Sequence, residues 1–143
     1  MSAQNSWAIY AILSAAFAAL VTILTKIGVR DVPSNLATAI RTGVVLLLAW
    51  AIVFARGEAA GIGAISRRSL LFLVLAGLAT GASWLCYFAA LRSGPTASVS
   101  ALDKLSLPLI ALLSVVLLNE PLGKYGIFGI ALIAVGTWLM IQK

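Results

Sequence analysis

The stretch from Thr96 to Asn119, TASVSALDKLSLPLIALLSVVLLN, limits what this chain can fold into more than any other. It is long and apolar enough to cross a bilayer, yet it carries Asp103 and Lys104 side by side in its first half. Charge at that depth must be solvated by protein. Adjacent residues on a helix point roughly 100° apart, so the two are expected not to neutralise one another and each to need a partner from another segment. Pro108 adds a break, because it has no N–H and leaves the carbonyl of Lys104, four residues earlier, without its helical partner. A helix interrupted in this way is tolerated in a membrane only inside a bundle or against a wet cavity.

Composition sets the class. With 62% hydrophobic residues, 10% charged and a mean hydropathy of +1.10, a chain of 143 residues could not hide its apolar surface from water, so it reads as an integral membrane protein. Ten Lys and Arg against four acids give a net charge of +6, and the basic residues lie mostly in or beside short loops. That is membrane topology rather than nucleic-acid binding. Cys86 is the single cysteine and there is no histidine, which excludes a disulfide framework, a Cys/His zinc site and histidine-ligated haem. No cofactor and no metal are expected. The opening MSAQNSW lacks the basic region and cleavage site of a signal peptide, so the first apolar run is expected to stay as a span.

Hydropathy gives an all-α polytopic bundle of five transmembrane helices, each near the ~20 residues that a hydrocarbon core requires. The expected spans cover about residues 7–29, 36–54, 70–91, 96–118 and 126–141. In the first, Ser14, Ala18, Thr22 and Lys26 recur at i+4 as a small, polar stripe suited to face other helices; Lys26 either joins that contact or snorkels to the interface. Pro33 breaks the chain before span two, with Ser34 or Asn35 as its expected N-cap, and Arg41 lies about two turns inside it, near Thr38 and Thr42. The segment from Ala55 to Ser69 reads as a linker. Its Gly57, Gly61 and Gly63 do not make a phosphate loop, since neither the Lys-Ser/Thr nor a preceding strand is present.

Span three carries Gly77 and Gly81, a GxxxG spacing that lets helix backbones approach, and then Trp84 and Tyr87, deeper than an interfacial belt. These aromatics either pack or line a substrate path. Thr96 is the expected N-cap of span four. The uncharged fifth span, with Gly129 and Gly136, is a packing element within the protomer or between protomers.

Antiparallel succession brings the end of span one, the start of two, the end of three and the start of four to one face. At 1.5 Å per residue, Lys26, Arg41, Trp84, Tyr87, Asp103 and Lys104 then lie roughly 6 to 12 Å below that face. They are expected to form one net-positive cluster in which Asp103 pairs with Arg41 or Lys26 and the remaining cations either attract an anionic group or stay partly neutral. Lys104, aligned with Ser100 and Ala97, is the first choice for contacting such a group or exchanging a proton, with Asp103 as counter-charge or proton carrier.

The segment from Tyr87 to Met140 resembles the closing half of an EamA domain of the drug/metabolite transporter superfamily. The features are the Ala-Leu before the third turn, the Val-Ser-Ala-Leu run, Pro108, Glu120 after the fourth span, Gly129 nine residues on and Gly136 seven beyond that. The front half matches through Lys26 and the Leu-Ala-Thr-Ala-Ile-Arg-Thr run ending at Thr42. The resemblance implies a carrier in which ten helices, two five-helix repeats in inverted orientation, enclose a central substrate site. This chain has the length of one repeat and looks like the short five-span members. It implies a small-molecule substrate among sugars, nucleotide-linked sugars, amino acids, phosphorylated compounds and cationic drugs. The first span lacks the glutamate of the small multidrug resistance branch, which weakens a proton-coupled exporter of lipophilic cations.

Three functional classes follow. A carrier in the cytoplasmic membrane, built from two or more chains, accounts for the charges, the broken helix and the resemblance together. An accessory or assembly subunit of a larger membrane complex accounts for the small size and the fifth span but leaves Asp103, Lys104 and Pro108 unexplained. An intramembrane enzyme lacks its parts: there is no His, no Asp pair in facing spans and no G-x-S-x-G.

An odd number of spans puts the termini on opposite sides. One face then receives Arg56, Arg67, Arg68 and Lys124, and the other Lys26, Arg30, Arg92 and Lys143, with Arg41 as an optional fifth. Since Lys/Arg bias sets orientation and here is nearly nil, copies are expected to insert both ways and pair as an antiparallel homodimer; a partner chain of opposite bias is the alternative. Reporter fusions at the carboxyl terminus should give signal on both sides of the membrane, and two or three arginines added to one face should collapse this to one. A single orientation for the unaltered chain refutes dual topology.

Overall fold

A computed structural model of the chain describes residues 6–142, and every regular element among them is helical. Lys143, counted in the charge tally, and the first five residues, read as lacking a leader, lie outside the described residues. The helices are α1 (Ser6–Gly28), α2 (Ser34–Ala55), α3 (Arg67–Ser93), α4 (Thr96–Asp103), α5 (Ser106–Leu118) and α6 (Lys124–Ile141), with a 3-10 helix (Glu58–Ala64) between α2 and α3. Five stretches are long and apolar enough to cross a membrane, α4 and α5 together making the fourth. Large apolar side chains stay exposed along all of them, among them Leu47 at 73% and Phe17 at 66%, as a lipid-facing surface demands.

Local chemistry sets the element ends, in places differently from expectation. Pro33 and Pro95, not Ser34, Asn35 or Thr96, occupy the N-cap positions of α2 and α4, and neither helix has a side-chain cap. The proline carbonyls accept the first helical bonds, from the Ala37 and Val99 N–H groups, both at 3.0 Å. Ring-fixed φ values of −54° and −63° leave each proline poised to start a helix without donating. α3 begins at Arg67, earlier than the hydropathy boundary, because Ser66 caps it: its Oγ accepts from the Ser69 N–H at 3.1 Å. α5 stops at Asn119, which adopts a left-handed φ of 56°, and the Glu120 N–H reaches back to the Ser114 carbonyl at 3.2 Å.

The stretch read as a linker is ordered. Gly57 at φ 69° turns the chain after α2, a conformation that costs glycine little, and the Arg56 side chain pairs with Glu58 at 3.0 Å. The 3-10 helix then packs back against α2. Polar spacing gave no sign of this, because the contact is made by single apolar residues rather than by a periodic face.

The chain divides into two compact units. One holds α1 up to Lys26 together with everything from Ser93 onward; the other is Ile27–Arg92. Within the first, α6 packs on α4 and α5. Val99 and Ala101 are buried, Ser98 Oγ donates to the Met140 carbonyl at 3.2 Å, and the buried Thr137 Oγ1 donates to the Ala101 carbonyl at 3.3 Å. Within the second, Val29, Thr38, Phe88 and Leu91 are the buried residues. At Gly77, Gly81, Gly129 and Gly136 an added Cβ would meet no atom within 4 Å from another segment among the described residues. Of the two packing readings, these glycines therefore offer no close backbone contact within the protomer.

Thr137 gives a test of the α4–α6 contact. Thr137→Val keeps the shape and loses one interhelical bond, which should cost about 0.6 kcal/mol. Thr137→Leu adds volume at a buried position and should cost about 1–3 kcal/mol. Unfolding titrations in mixed detergent micelles should rank the two in that order.

Candidate functional site

The fourth span is where the backbone departs most from a continuous helix. α4 ends at Asp103 and α5 starts at Ser106, so the interruption sits at Lys104 and Leu105, one turn before Pro108. A proline ring clashes with the carbonyl four residues back, and that residue is Lys104; Pro108 itself occupies the first turn of α5, where its missing N–H is harmless. The Lys104 carbonyl is not left open as expected. It accepts from the Leu107 N–H at 3.0 Å, while the Lys104 and Leu105 N–H groups bond Ala101 and Leu102, each at 3.0 Å. Tight i→i+3 turns thus satisfy the backbone through the break.

The two charges meet each other. Lys104 Nζ donates to Asp103 Oδ2 at 3.3 Å, which corrects the expectation that neighbours on a helix could not pair and that Asp103 would pair with Arg41 or Lys26. The angular rule applies inside a regular helix, and here Asp103 ends one helix while the flexible lysine stem starts from the turn beyond it. The lysine and aspartate side chains remain 55% and 42% exposed. Ser100, one turn back on α4, is half-buried.

Lys26 keeps to the end of α1. Its Nζ donates to the Gly94 carbonyl at 2.9 Å, in the link between α3 and α4. It is half-buried and its ammonium is held by protein rather than only by the interface.

In the other unit Arg41 rests on a pair of rings. Its guanidinium carbon lies 4.2 Å from the centroid of Trp84 and 5.4 Å from that of Phe88. The two aromatics are four residues apart on α3 and so share one face. Trp84 and Tyr87 are half-buried and Phe88 is 1% exposed, which fixes the shelf under the cation. The hydroxyls near Arg41 are already committed: Thr38 Oγ1 donates to the Ser34 carbonyl at 2.9 Å and Thr42 Oγ1 to the Thr38 carbonyl at 2.8 Å. No carboxylate lies within ion-pair distance of Arg41 among the described residues. A guanidinium seated on aromatic faces keeps its edge donors for a planar anion.

The structure thus joins Asp103 to Lys104, Lys26 to Gly94, and Arg41 to Trp84. Two participants were missed from sequence. Phe88 looked like one more apolar residue of span three, although its i+4 spacing from Trp84 was a usable signal; the Gly94 carbonyl is backbone and has none. No three His, Cys, Asp or Glu residues gather as a metal site among the described residues.

The profile of the EamA-like transporter family matches residues 5–142. A protein of Sinorhizobium sp. named "Uncharacterized transporter in cobO 3'region" is 48% identical over 137 residues, which cover 96% of this chain and 97% of that relative. No solved structure matches the chain at a significant level.

The aromatic shelf is testable by a double-mutant cycle. Trp84→Leu and Arg41→Gln should each destabilise the protein, and their coupling should be about 0.5–2 kcal/mol, the range for cation–π pairs from exposed to desolvated sites. Additive effects would show that the guanidinium does not depend on the ring.

Proposed function

The chain belongs to the EamA-like transporter family, and we propose on that premise that it is a carrier, not an enzyme. In this reading it moves a small, anionic metabolite or drug-like molecule across the cytoplasmic membrane by alternating access, as an antiparallel homodimer. The single domain is one repeat, and a second copy inserted the other way supplies the inverted one.

The observation that carries this reading is the half-exposed Asp103–Lys104 pair at the break in a membrane span. Each charge left against hydrocarbon costs about 3 kcal/mol, so lipid is not an acceptable neighbour and protein or water must cover the pair. A second copy does both. With Lys104 about 12 Å from one face, the two pairs of an antiparallel dimer would approach the midplane from opposite sides with about 6 Å between their levels. They would line one aqueous cavity. Within it Lys104 contacts an anionic group or exchanges a proton, Asp103 is its counter-charge, and Ser100 lies one turn away. Arg41, on its Trp84 shelf beside Tyr87, is a separate candidate anion contact within its own unit, and Lys26 fixes the link to α4 through the Gly94 carbonyl. Gly77 and Gly81, or Gly129 and Gly136, provide flat helix surface for the partner chain.

Thermal stabilisation of purified protein by a panel of small carboxylates, sugar phosphates and organic cations should single out an anion. Uptake of that compound into liposomes then tests the residues. Lys104→Gln should insert and dimerise normally yet lose transport or its pH dependence, and adding Asp103→Asn should not restore it. If the pair is only structural, each single change should impair folding and the double change should transport. Transport at the unaltered rate by Lys104→Gln removes the residue from the mechanism, and a fully active monomer removes the dimer.

A further inference from the structure

Where the 3-10 helix folds back, it encloses a groove of about 350 Å³ against the last turns of α2. Ala49, Trp50 and Val53 line it from α2, Ile62 and Ile65 from the returning segment, and Glu58 and Gly61 complete the lining. Its volume falls in the ~300–1,000 Å³ range of small-molecule sites. The walls are almost wholly apolar, and the groove lies at the end of a span, so the fluid that meets it is the edge of the bilayer. Water there would find one carboxylate, and that carboxylate is already held by Arg56 at 3.0 Å.

The chain that continues from the groove lining is basic. Arg67 and Arg68 follow Ile65 by two and three residues and open α3, whose first turn Ser66 caps by accepting from the Ser69 N–H. Arg68 leans over the Phe72 ring at 6.0 Å, and neither arginine has a carboxylate within ion-pair distance among the described residues. With Arg56 neutralised locally by Glu58, the face keeps two uncompensated cations beside a helix N-terminus, a combination that favours a phosphate.

We propose that this groove is a binding site for one anionic phospholipid, with an acyl chain between α2 and the 3-10 helix and the phosphate on Arg67 and Arg68. The acyl chain replaces water along the apolar walls, and the headgroup supplies the charge that the chain itself does not. A zwitterionic head offsets its phosphate with an ammonium, so only a net anionic lipid gains the full attraction of the arginines, about fivefold each and about thirtyfold for the two.

Native mass measurement of the full chain released from micelles doped with phosphatidylglycerol or phosphatidylcholine of identical acyl chains is the test. One phosphatidylglycerol per chain should be retained at concentrations where phosphatidylcholine is not. Arg67→Gln with Arg68→Gln, both on the exposed surface, should abolish the preference while leaving weak binding of both lipids. Gly61→Leu should remove both, since a Cβ at Gly61 meets no atom within 4 Å and the added chain has room to fill the groove. Equal retention of the two lipids, or a preference that survives the double arginine change, overturns the headgroup assignment. Retention undiminished by Gly61→Leu, in protein whose melting temperature is unchanged, overturns the groove. If Gly61→Leu does not fold, Ile62→Ser, which makes one wall polar, should weaken both lipids alike and serves in its place. Lipid retention is read by mass and without transport, so its outcome is independent of whether the carrier reading holds.

Discussion

A charged pair at a break in a membrane helix is the constraint on which the rest of this molecule depends. Asp103 and Lys104 cannot face hydrocarbon, and Pro108 cannot follow a continuous helix whose Lys104 carbonyl points at its ring. The backbone resolves the second problem by itself, through successive i→i+3 bonds at 3.0 Å. The first is only half resolved. The ion pair offsets part of the desolvation, but two side chains still 55% and 42% exposed need covering by something other than lipid. At about 3 kcal/mol per exposed charge the deficit is comparable with the whole stability of a small domain, so it cannot be ignored as a surface detail.

The same shortfall appears in the packing. α4 and α6 hold together through buried Val99, Ala101 and Thr137 and two side-chain-to-backbone bonds. Elsewhere the long apolar helices bury little, and at four glycines suited to close contact an added Cβ would meet no other segment within 4 Å among the described residues. In water this much exposed apolar surface would be unfavourable. In a bilayer the exposed leucines and valines are satisfied, and what remains unsatisfied is small, polar or charged. Those residues are also the ones on which the proposed carrier reading rests.

Two cationic sites in the molecule are managed differently. Lys26 gives its ammonium to the Gly94 backbone carbonyl, which ties the end of α1 to the link before α4. Arg41 is seated on Trp84 and Phe88, with its guanidinium carbon 4.2 Å and 5.4 Å from the two ring centroids. The aromatic rings of α3 therefore do what an acidic partner would do for position, but do not neutralise the charge.

By itself the sequence determined that this is a five-span membrane protein, where its spans lie to within a few residues, and that the fourth is broken beside two charges. Those follow from hydropathy, length and proline geometry, which act locally. It also carried the family, through Pro108, Glu120, Gly129 and Gly136 and the Leu-Ala-Thr-Ala-Ile-Arg-Thr run, and the profile match over residues 5–142 agrees. Only the tertiary structure decided the partners: that Asp103 takes its own neighbour, that Lys26 finds Gly94, that Phe88 joins Trp84 under Arg41, and that Gly57 turns a featureless linker back onto α2. Hydropathy fixes the depth of a residue in the membrane but not its direction around the helix axis. Which side chains meet depends on that direction and on backbone turns of one or two residues, and these are set by packing between segments distant in the chain.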